Sequence, residues 1–244
     1  MRPFGELIGA MSTSWWSAKH NMHHALTNEV GYDEDIALEP AIYLWRPDPK
    51  NDVRGLRKFQ HLYWPLPFSV LFHYWRFDSL VYAWKFKKWG ELSRLVAHWA
   101  TALALVPART LFFSVWLSGF LTATIVTVTH QSEEIFFGDS LRKYDFVEAQ
   151  FRSTRNAKCN NPFSHILWGG MQWQLEHHIF PTMPRYKYPA VSKLLQKWAS
   201  ENNLDYRISG EFEIIGQNIA LLKELANAEP EEGNPDSTPL FKQI

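Results

Sequence analysis

The chain has one cysteine, Cys159, so it can form no internal disulfide, cysteine-rich structural zinc site or iron–sulfur cluster. It also lacks an excess of either charge. Its 25 lysines and arginines are balanced by 25 aspartates and glutamates, which removes the overall electrostatic case for a nucleic acid partner. No apolar run follows the opening Met1-Arg-Pro-Phe-Gly-Glu, so no secretory signal is expected there. The HExxH signature of zinc proteases is absent. Long uncharged apolar runs are scarce: Thr110–Thr129 is the one clear case, and it matches the ~20 residues that a hydrocarbon core requires. Mean hydropathy is −0.28, so polar flanks surround a short membrane part. Aromatics, by contrast, are abundant. The 12 Trp, 17 Phe and 9 Tyr suit a chain lying at a membrane–water boundary, where amphipathic rings concentrate. At 244 residues the chain makes one or at most two domains.

Two histidine clusters stand out against this background: His20-Asn-Met-His23-His24 and Gln174-Leu-Glu-His177-His178. Positions i, i+3 and i+4 share one helix face, so each cluster aims its side chains at one point. Neutral imidazole suits iron, zinc and copper. The competing reading is surface histidines on two unrelated helices. His20, His23, His24, His177 and His178 are the candidate ligands. His130, at the end of the apolar run, joins them because ionisable groups at membrane depth are costly and default to function. Gln174 occupies the slot of a first histidine; an amide is a poor iron ligand, so it is expected to hydrogen-bond a bound water or substrate. Asp33-Glu34-Asp35 could hold an outer ring N–H of a ligating histidine, or form a solvated acidic loop. Trp168-Gly-Gly170 would allow close approach of backbone or an acyl chain. His61, His73, His98 and His165 are single and unassigned. A histidine-rich, cysteine-free site beside a membrane points to non-haem iron and dioxygen chemistry. Two irons take roughly eight or nine ligands, and the candidates here number six.

If both clusters serve one site, they lie on the same face of the bilayer, and the spans between them are even in number. The expected solution is a transmembrane hairpin over residues 92–130: a helix from about Leu92 to Val106, a turn at Pro107-Ala108-Arg109, and a helix to about Thr129. Phe59–Trp75, with Pro65 and Pro67, is expected to lie in the interface or re-enter. The basic residues from Arg46 to Lys88 and from Arg142 to Arg155 then share the histidine side, leaving Arg109 alone at the opposite turn. By the positive-inside rule the histidines are cytosolic. The segment 228–244 is acidic and rich in Pro and Gly, and is expected to be disordered.

The runs Trp15-Trp16…Lys19-His20-Asn-Met-His23-His24-Ala25…Thr27-Asn28 and Gln174-Leu-Glu-His177-His178-Ile-Phe-Pro181-Thr-Met-Pro184-Arg185 resemble the front-end fatty acid desaturases. Gln in place of the first histidine of the third box is that group's mark, shared with plant-type sphingolipid long-chain-base desaturases. Asp33-x-Asp35 and Trp168-Gly-Gly170 also look like the family. The resemblance covers about residues 5–225. It implies an all-α membrane protein: a transmembrane helical bundle under a cytosolic helical cap that holds two non-haem irons, multi-pass in the endoplasmic reticulum membrane. It implies insertion of a cis double bond into polyunsaturated acyl chains, between an existing double bond and the carboxyl end, with O₂. Electrons would come from cytochrome b5 and its reductase. By the same resemblance His20, His23, His24, His177 and His178 are direct ligands, and His130 matches the family's additional histidine. The chain departs from the family in having no first box, HDxxH or similar, and no HPGG haem motif. Residues 1–227 are therefore expected to be a partial desaturase domain, the C-terminal portion of a desaturase. A truncated isoform that binds and regulates full-length desaturase is the alternative from another class, and a sphingoid-base desaturase the alternative substrate.

Overall fold

The computed structural model describes residues 2–138 and 140–240. The helices are α1 Arg2–Leu7, α2 Thr13–Ala25, α3 Arg54–Arg57, α4 Gln60–Tyr63, α5 Pro65–Lys85, α6 Trp89–Leu105, α7 Ala108–Thr127, α8 Phe146–Ser153, α9 Pro162–Trp168, α10 Gln174–Ile179, α11 Tyr188–Glu201 and α12 Glu211–Asn227. Two strands, β1 Asn156–Lys158 and β2 Ile208–Gly210, complete the set. The chain divides into two compact units. One holds residues up to Asn21 together with Trp64–Thr124, and the other Met22–Tyr63 with the described residues from Ile125 onward.

The first unit is built on α5, α6 and α7. Pro65 and Pro67 fall in the first turn of α5, where the missing N–H has no intrahelical partner to lose. Within the stretch expected to lie in the interface or re-enter, the two prolines open a helix of 21 residues. Along α5 a row of large apolar side chains, Leu66, Val70, Tyr74, Phe77, Val81 and Trp84, faces outward at helical spacing. Its opposite face buries Phe72 and Trp75 against Trp15. Gly119 of α7 fits against α5, where a Cβ would stand 2.9 Å from the Ser69 carbonyl oxygen. Helix α6 packs on α1 and α5. It ends at Val106, which is extended (φ −131°, ψ 134°) because it precedes Pro107. Helix α7 then begins at Ala108, so the break falls where the sequence places it. Among the described residues α7 is the one helix long and apolar enough to cross a membrane by length and composition, and only 17% of its most apolar window is buried.

The second unit holds the C-terminal end of α2 with α3, α4 and α8 to α12, and it corrects the all-α expectation in one detail. Strands β1 and β2 pair in parallel, with Asn156 opposite Ile208 and Lys158 opposite Gly210. Three-residue strands leave no readable periodicity. One apolar cluster joins Val128, Ala157, Trp168 and Ile214; a second joins Phe151, Leu175, Leu195 and Ala199. Two ion networks brace the unit. Arg57 is fully buried. It pairs with both oxygens of Asp52 at 2.8 and 2.9 Å and donates to the Leu225 and Ala228 carbonyls at the end of α12, where the last carbonyls lack intrahelical donors. Buried Glu133 accepts from Arg155 at 2.5 Å and from Arg207 at 2.6 Å.

The segment after Ala228, expected to be disordered, is ordered as far as Leu240; residues 241–244 lie outside the described residues. The Trp45 indole donates to the Pro235 carbonyl, Ser237 and Glu39 exchange hydrogen bonds, and the Leu240 amide donates to the Gly31 carbonyl. Composition underestimates such a strap because its partners, such as Trp45, Asp48 and Arg54, lie far from it in sequence.

Candidate metal centre

Helix α2 carries the first cluster. Ser12 accepts from the Trp15 amide at its start, and the helix gives way at Asn28, which takes the left-handed conformation (φ 60°) that asparagine tolerates. The Thr27 hydroxyl lies 2.7 Å from the His23 carbonyl. The chain then doubles back so that Asp33 accepts from the Asn28 amide and from His23 Nδ1, at 2.9 and 2.8 Å. Asp35 approaches the same ring nitrogen to 3.7 Å. Of the two readings of this acidic run, the contact with the histidine is the one found. The Asn28 side-chain amide donates to the His130 and Glu134 carbonyls, tying the end of α2 to the turn that follows α7.

Helix α10 carries the second cluster. Its start is held by Asn156, whose carbonyl oxygen accepts from the Leu175 amide. Buried Glu176 accepts from Asn156 and from the Tyr206 hydroxyl, at 2.8 and 2.6 Å. With Glu176 turned that way, His177 and His178 face α2. The rings of His23, His130 and His178 lie with centroids 4.6–4.9 Å apart. All three are buried, and one potential ligand nitrogen from each falls within 4.8 Å of the others. Beside them His24 Nε2 and His177 Nε2 stand 3.1 Å apart. His20 sits one turn earlier on α2, half-buried and stacked on Trp16 with centroids 4.5 Å apart.

The protons in this cluster are fixed by its neighbours. His23 Nδ1 faces the Asp33 carboxylate, His130 Nδ1 the Ser153 carbonyl at 2.9 Å, and His178 Nδ1 the Gln150 side-chain oxygen at 2.8 Å. Each acceptor holds a proton on Nδ1 and leaves Nε2 with a bare lone pair. Burial also keeps the rings neutral. Desolvation is the first cause in each case, lowering His24 to about 4, His130 and His177 to about 3, and His178 well below its usual value. The positive group that meets the lone pairs is the Gln174 amide, whose Nε2 lies 3.0 Å from His130 Nε2 and 3.4 Å from His178 Nε2. Its own carbonyl oxygen is buried without a hydrogen-bond partner. In this structure the amide of Gln174 thus bonds to two of the histidines.

The sequence model of the fatty acid desaturase family matches residues 3–210. The chain belongs to the fatty acid desaturase family. It is similar to a Delta(6)-fatty-acid desaturase of Caenorhabditis elegans, at 32% identity over 91% of this chain and 56% of the relative. It is also similar to a Delta(5) fatty acid desaturase of the same organism, at 30% identity over 91% of this chain and 55% of the relative. A third relative is an acyl-lipid 8-desaturase of Rebecca salina, at 31% identity over 88% of this chain and 52% of the relative. The chain spans about half the length of these curated relatives. No solved structure matches it.

For a fatty acid desaturase the donor set fits the metal that the family implies. Converging neutral imidazole nitrogens, with no thiolate, suit a borderline transition metal such as iron. The buried Gln174 carbonyl, left unsatisfied while its amide N–H groups serve the lone pairs, marks a position built for another occupant. Sequence reasoning missed Gln150 and Ser153, because nothing in their spacing distinguishes them. The space at Gly170 (φ 98°) admits the Arg185 side chain, whose Cδ would stand 2.8 Å from an added Cβ; Arg185 in turn donates to the Gly169 carbonyl at 2.7 Å. That is the close approach expected of the two glycines, made by a side chain. Three of the unassigned histidines have other contacts: His98 meets the Leu7 carbonyl, His165 meets Gln172, and His73 stacks on Phe112.

Proposed function

We propose that this chain carries part of the diiron centre of a membrane-bound front-end acyl desaturase, with six of the ligands that two irons take. The reaction introduces a cis double bond into a polyunsaturated fatty acyl chain with O₂, and cytochrome b5 and its reductase supply the electrons. The site is on the cytosolic face of the endoplasmic reticulum membrane. The observation that carries the proposal is the buried set of histidines from three separate stretches, their Nδ1 protons anchored so that their Nε2 lone pairs converge. His20, His23, His24, His130, His177 and His178 would hold the metal. Bound there, iron supplies the activation of dioxygen needed to remove two hydrogens from an unreactive acyl chain.

The protein's own residues do the rest. Asp33, Ser153 and Gln150 hold the ring tautomers. Gln174 supplies a donor–acceptor amide beside the lone pairs, where it orients a water or the substrate once the histidines are engaged. Burial excludes solvent from the lone pairs and keeps the rings neutral near pH 7. The membrane reading rests on α7 and α5. An apolar helix that is mostly unburied, beside a second helix exposing a row of Leu, Val, Phe and Trp, is stable only in an apolar solvent. The proposed hairpin is α6 with α7. At 17 residues α6 spans roughly 26 Å at 1.5 Å per residue, so the bilayer thins locally or flanking residues are drawn in. The relatives at 30% identity or more carry fatty-acid or acyl-lipid names, which favours a fatty acyl substrate over a sphingoid base.

A chimera tests the function. These residues would replace the matching half of the Caenorhabditis elegans Delta(6) relative, and yeast expressing it would be fed defined fatty acids. Gas chromatography should show a new double bond that His178→Ala abolishes. A folded, membrane-inserted chimera yielding no new product from any fatty acid supplied would count against the proposal.

A further inference from the structure

Helix α8 has no histidine and no motif, yet it meets two of the clustered rings. Its last carbonyl, Ser153, accepts from His130 Nδ1 at 2.9 Å. That carbonyl sits at a helix end, where no intrahelical donor is available. One turn earlier, buried Gln150 makes three polar contacts, each of which constrains the next. The His24 carbonyl can only accept, so it takes the Gln150 amide NH₂ at 3.2 Å. The Gln150 Oε1 therefore faces the other way, 2.8 Å from His178 Nδ1 and 3.0 Å from the Thr27 hydroxyl. Oε1 can only accept, so the proton in its contact with the ring must come from His178 Nδ1. The Thr27 hydroxyl has a single proton and three neighbours, the His23 carbonyl at 2.7 Å, Oε1 at 3.0 Å and His178 Nδ1 at 3.2 Å; giving it to Nδ1, the most distant of them, would leave that nitrogen's lone pair facing Oε1 at 2.8 Å, so it goes to one of the two oxygens. His178 Nε2 is left bare. The helix that presents Gln150 is itself well held: Asp145 caps its start, Phe151 lies in an apolar cluster, and Arg152 pairs with Glu134 and Glu148.

We infer that α8 is a positioning element for the histidine cluster, with Gln150 as its positioning residue, fixing His178 as the Nδ1–H tautomer and tying that ring to the backbone of α2. The purpose of this arrangement rests on the metal-centre reading; the tautomer itself does not. One glutamine thus couples the two histidine clusters, so that neither can shift without disturbing the other.

The test begins without metal. The protein in nanodiscs, labelled with ¹⁵N-histidine, is measured by long-range ¹H–¹⁵N correlation, with the His178 signals assigned by their loss in His178→Ala. Wild type should show His178 as the Nδ1–H tautomer. Gln150→Leu should turn it to Nε2–H or a mixture. Gln150→Glu, whose neutral carboxyl can donate to the His24 carbonyl and still accept from the ring, should restore Nδ1–H. Titration with Co²⁺ should then show roughly 10–100-fold weaker binding in Gln150→Leu, with recovery in Gln150→Glu. A merely structural role would lower the unfolding temperature of Gln150→Leu but leave the tautomer unmoved. A pure Nδ1–H signal in folded Gln150→Leu would overturn the inference. So would an Nε2–H signal in Gln150→Glu, which decides the matter if the leucine variant does not fold. A tautomer that shifts as expected in a protein that binds no Co²⁺ would uphold Gln150 and defeat the metal reading alone.

Discussion

Acidification of the metal-free protein should destabilise the histidine-bearing unit from about pH 6.5 downward, a loss that Glu39, its carboxyl raised to about 7 by burial, offsets only in part. His24 is held down to about 4 and His130 and His177 to about 3, with His178 well below its usual value, each first by desolvation. In the unfolded chain these rings take up protons near pH 6.5. The folded form binds fewer protons, so its stability is fully present above pH 6.5 and is lost as pH falls from 6.5 toward 3–4. At pH 5.5, one unit below the unfolded value, each such ring costs roughly 1.4 kcal/mol, and four cost roughly 5 kcal/mol. A typical domain has only about 5–15 kcal/mol in total. Chemical denaturation between pH 7.5 and 5.5, followed by tryptophan fluorescence, should therefore show a steep loss of stability. His130→Phe, which removes one titrating ring, should flatten the slope by roughly one proton. An unfolding midpoint that stays level between pH 7.5 and 5.5 would refute the reasoning, because it would mean that the rings are not buried as neutral groups.

Gln174→Ala should lose desaturation in the chimera while metal content stays near that of wild type, and Gln174→His should retain metal; loss of metal in Gln174→Ala would make the amide itself a required ligand. Glycosylation acceptors placed in the Pro107–Arg109 turn should be modified in microsomes, and those placed at Lys87–Lys88 should not. Modification at Lys87–Lys88 would mean that α5 crosses the membrane and would break the hairpin topology. Replacing Arg57 by Met should destabilise the second unit by roughly 3–5 kcal/mol, as removal of one member of a buried ion pair does, with denaturation of the purified protein as the check. An unchanged midpoint would show that Asp52 and the α12 carbonyls find other partners.

The histidine clusters were legible because helix spacing converts directly into a shared face. The break at Val106–Pro107 and the apolar run of α7 were legible because proline and continuous hydrophobicity act locally. His130 was found from its place at the end of that run. What the sequence concealed depends on contacts distant along the chain. Gln150 meets His178 only because α8 folds back over α10, and an isolated glutamine carries no pattern. Pro65 and Pro67 gave no start for α5 in the sequence, although the helix begins at Pro65, where a missing N–H is harmless. The strap after Ala228 looked too polar to order, but its polar groups find partners distant along the chain, among them Arg54 for Glu229, Asp48 for the Gly233 amide and Glu39 for Ser237. That the Gln174 amide lies beside His130 and His178 was not legible, because it depends on contacts distant along the chain.

The central claim is that the buried histidines form a metal centre, and titration of the purified metal-free protein with Co²⁺ tests it most directly. Wild type should develop visible d–d bands of nitrogen-ligated Co²⁺ as the metal binds, and His178→Ala, lacking a ring at the point of convergence, should lose most of that absorbance while remaining folded by circular dichroism. Identical titrations of wild type and a folded His178→Ala, or no absorbance in either, would contradict it.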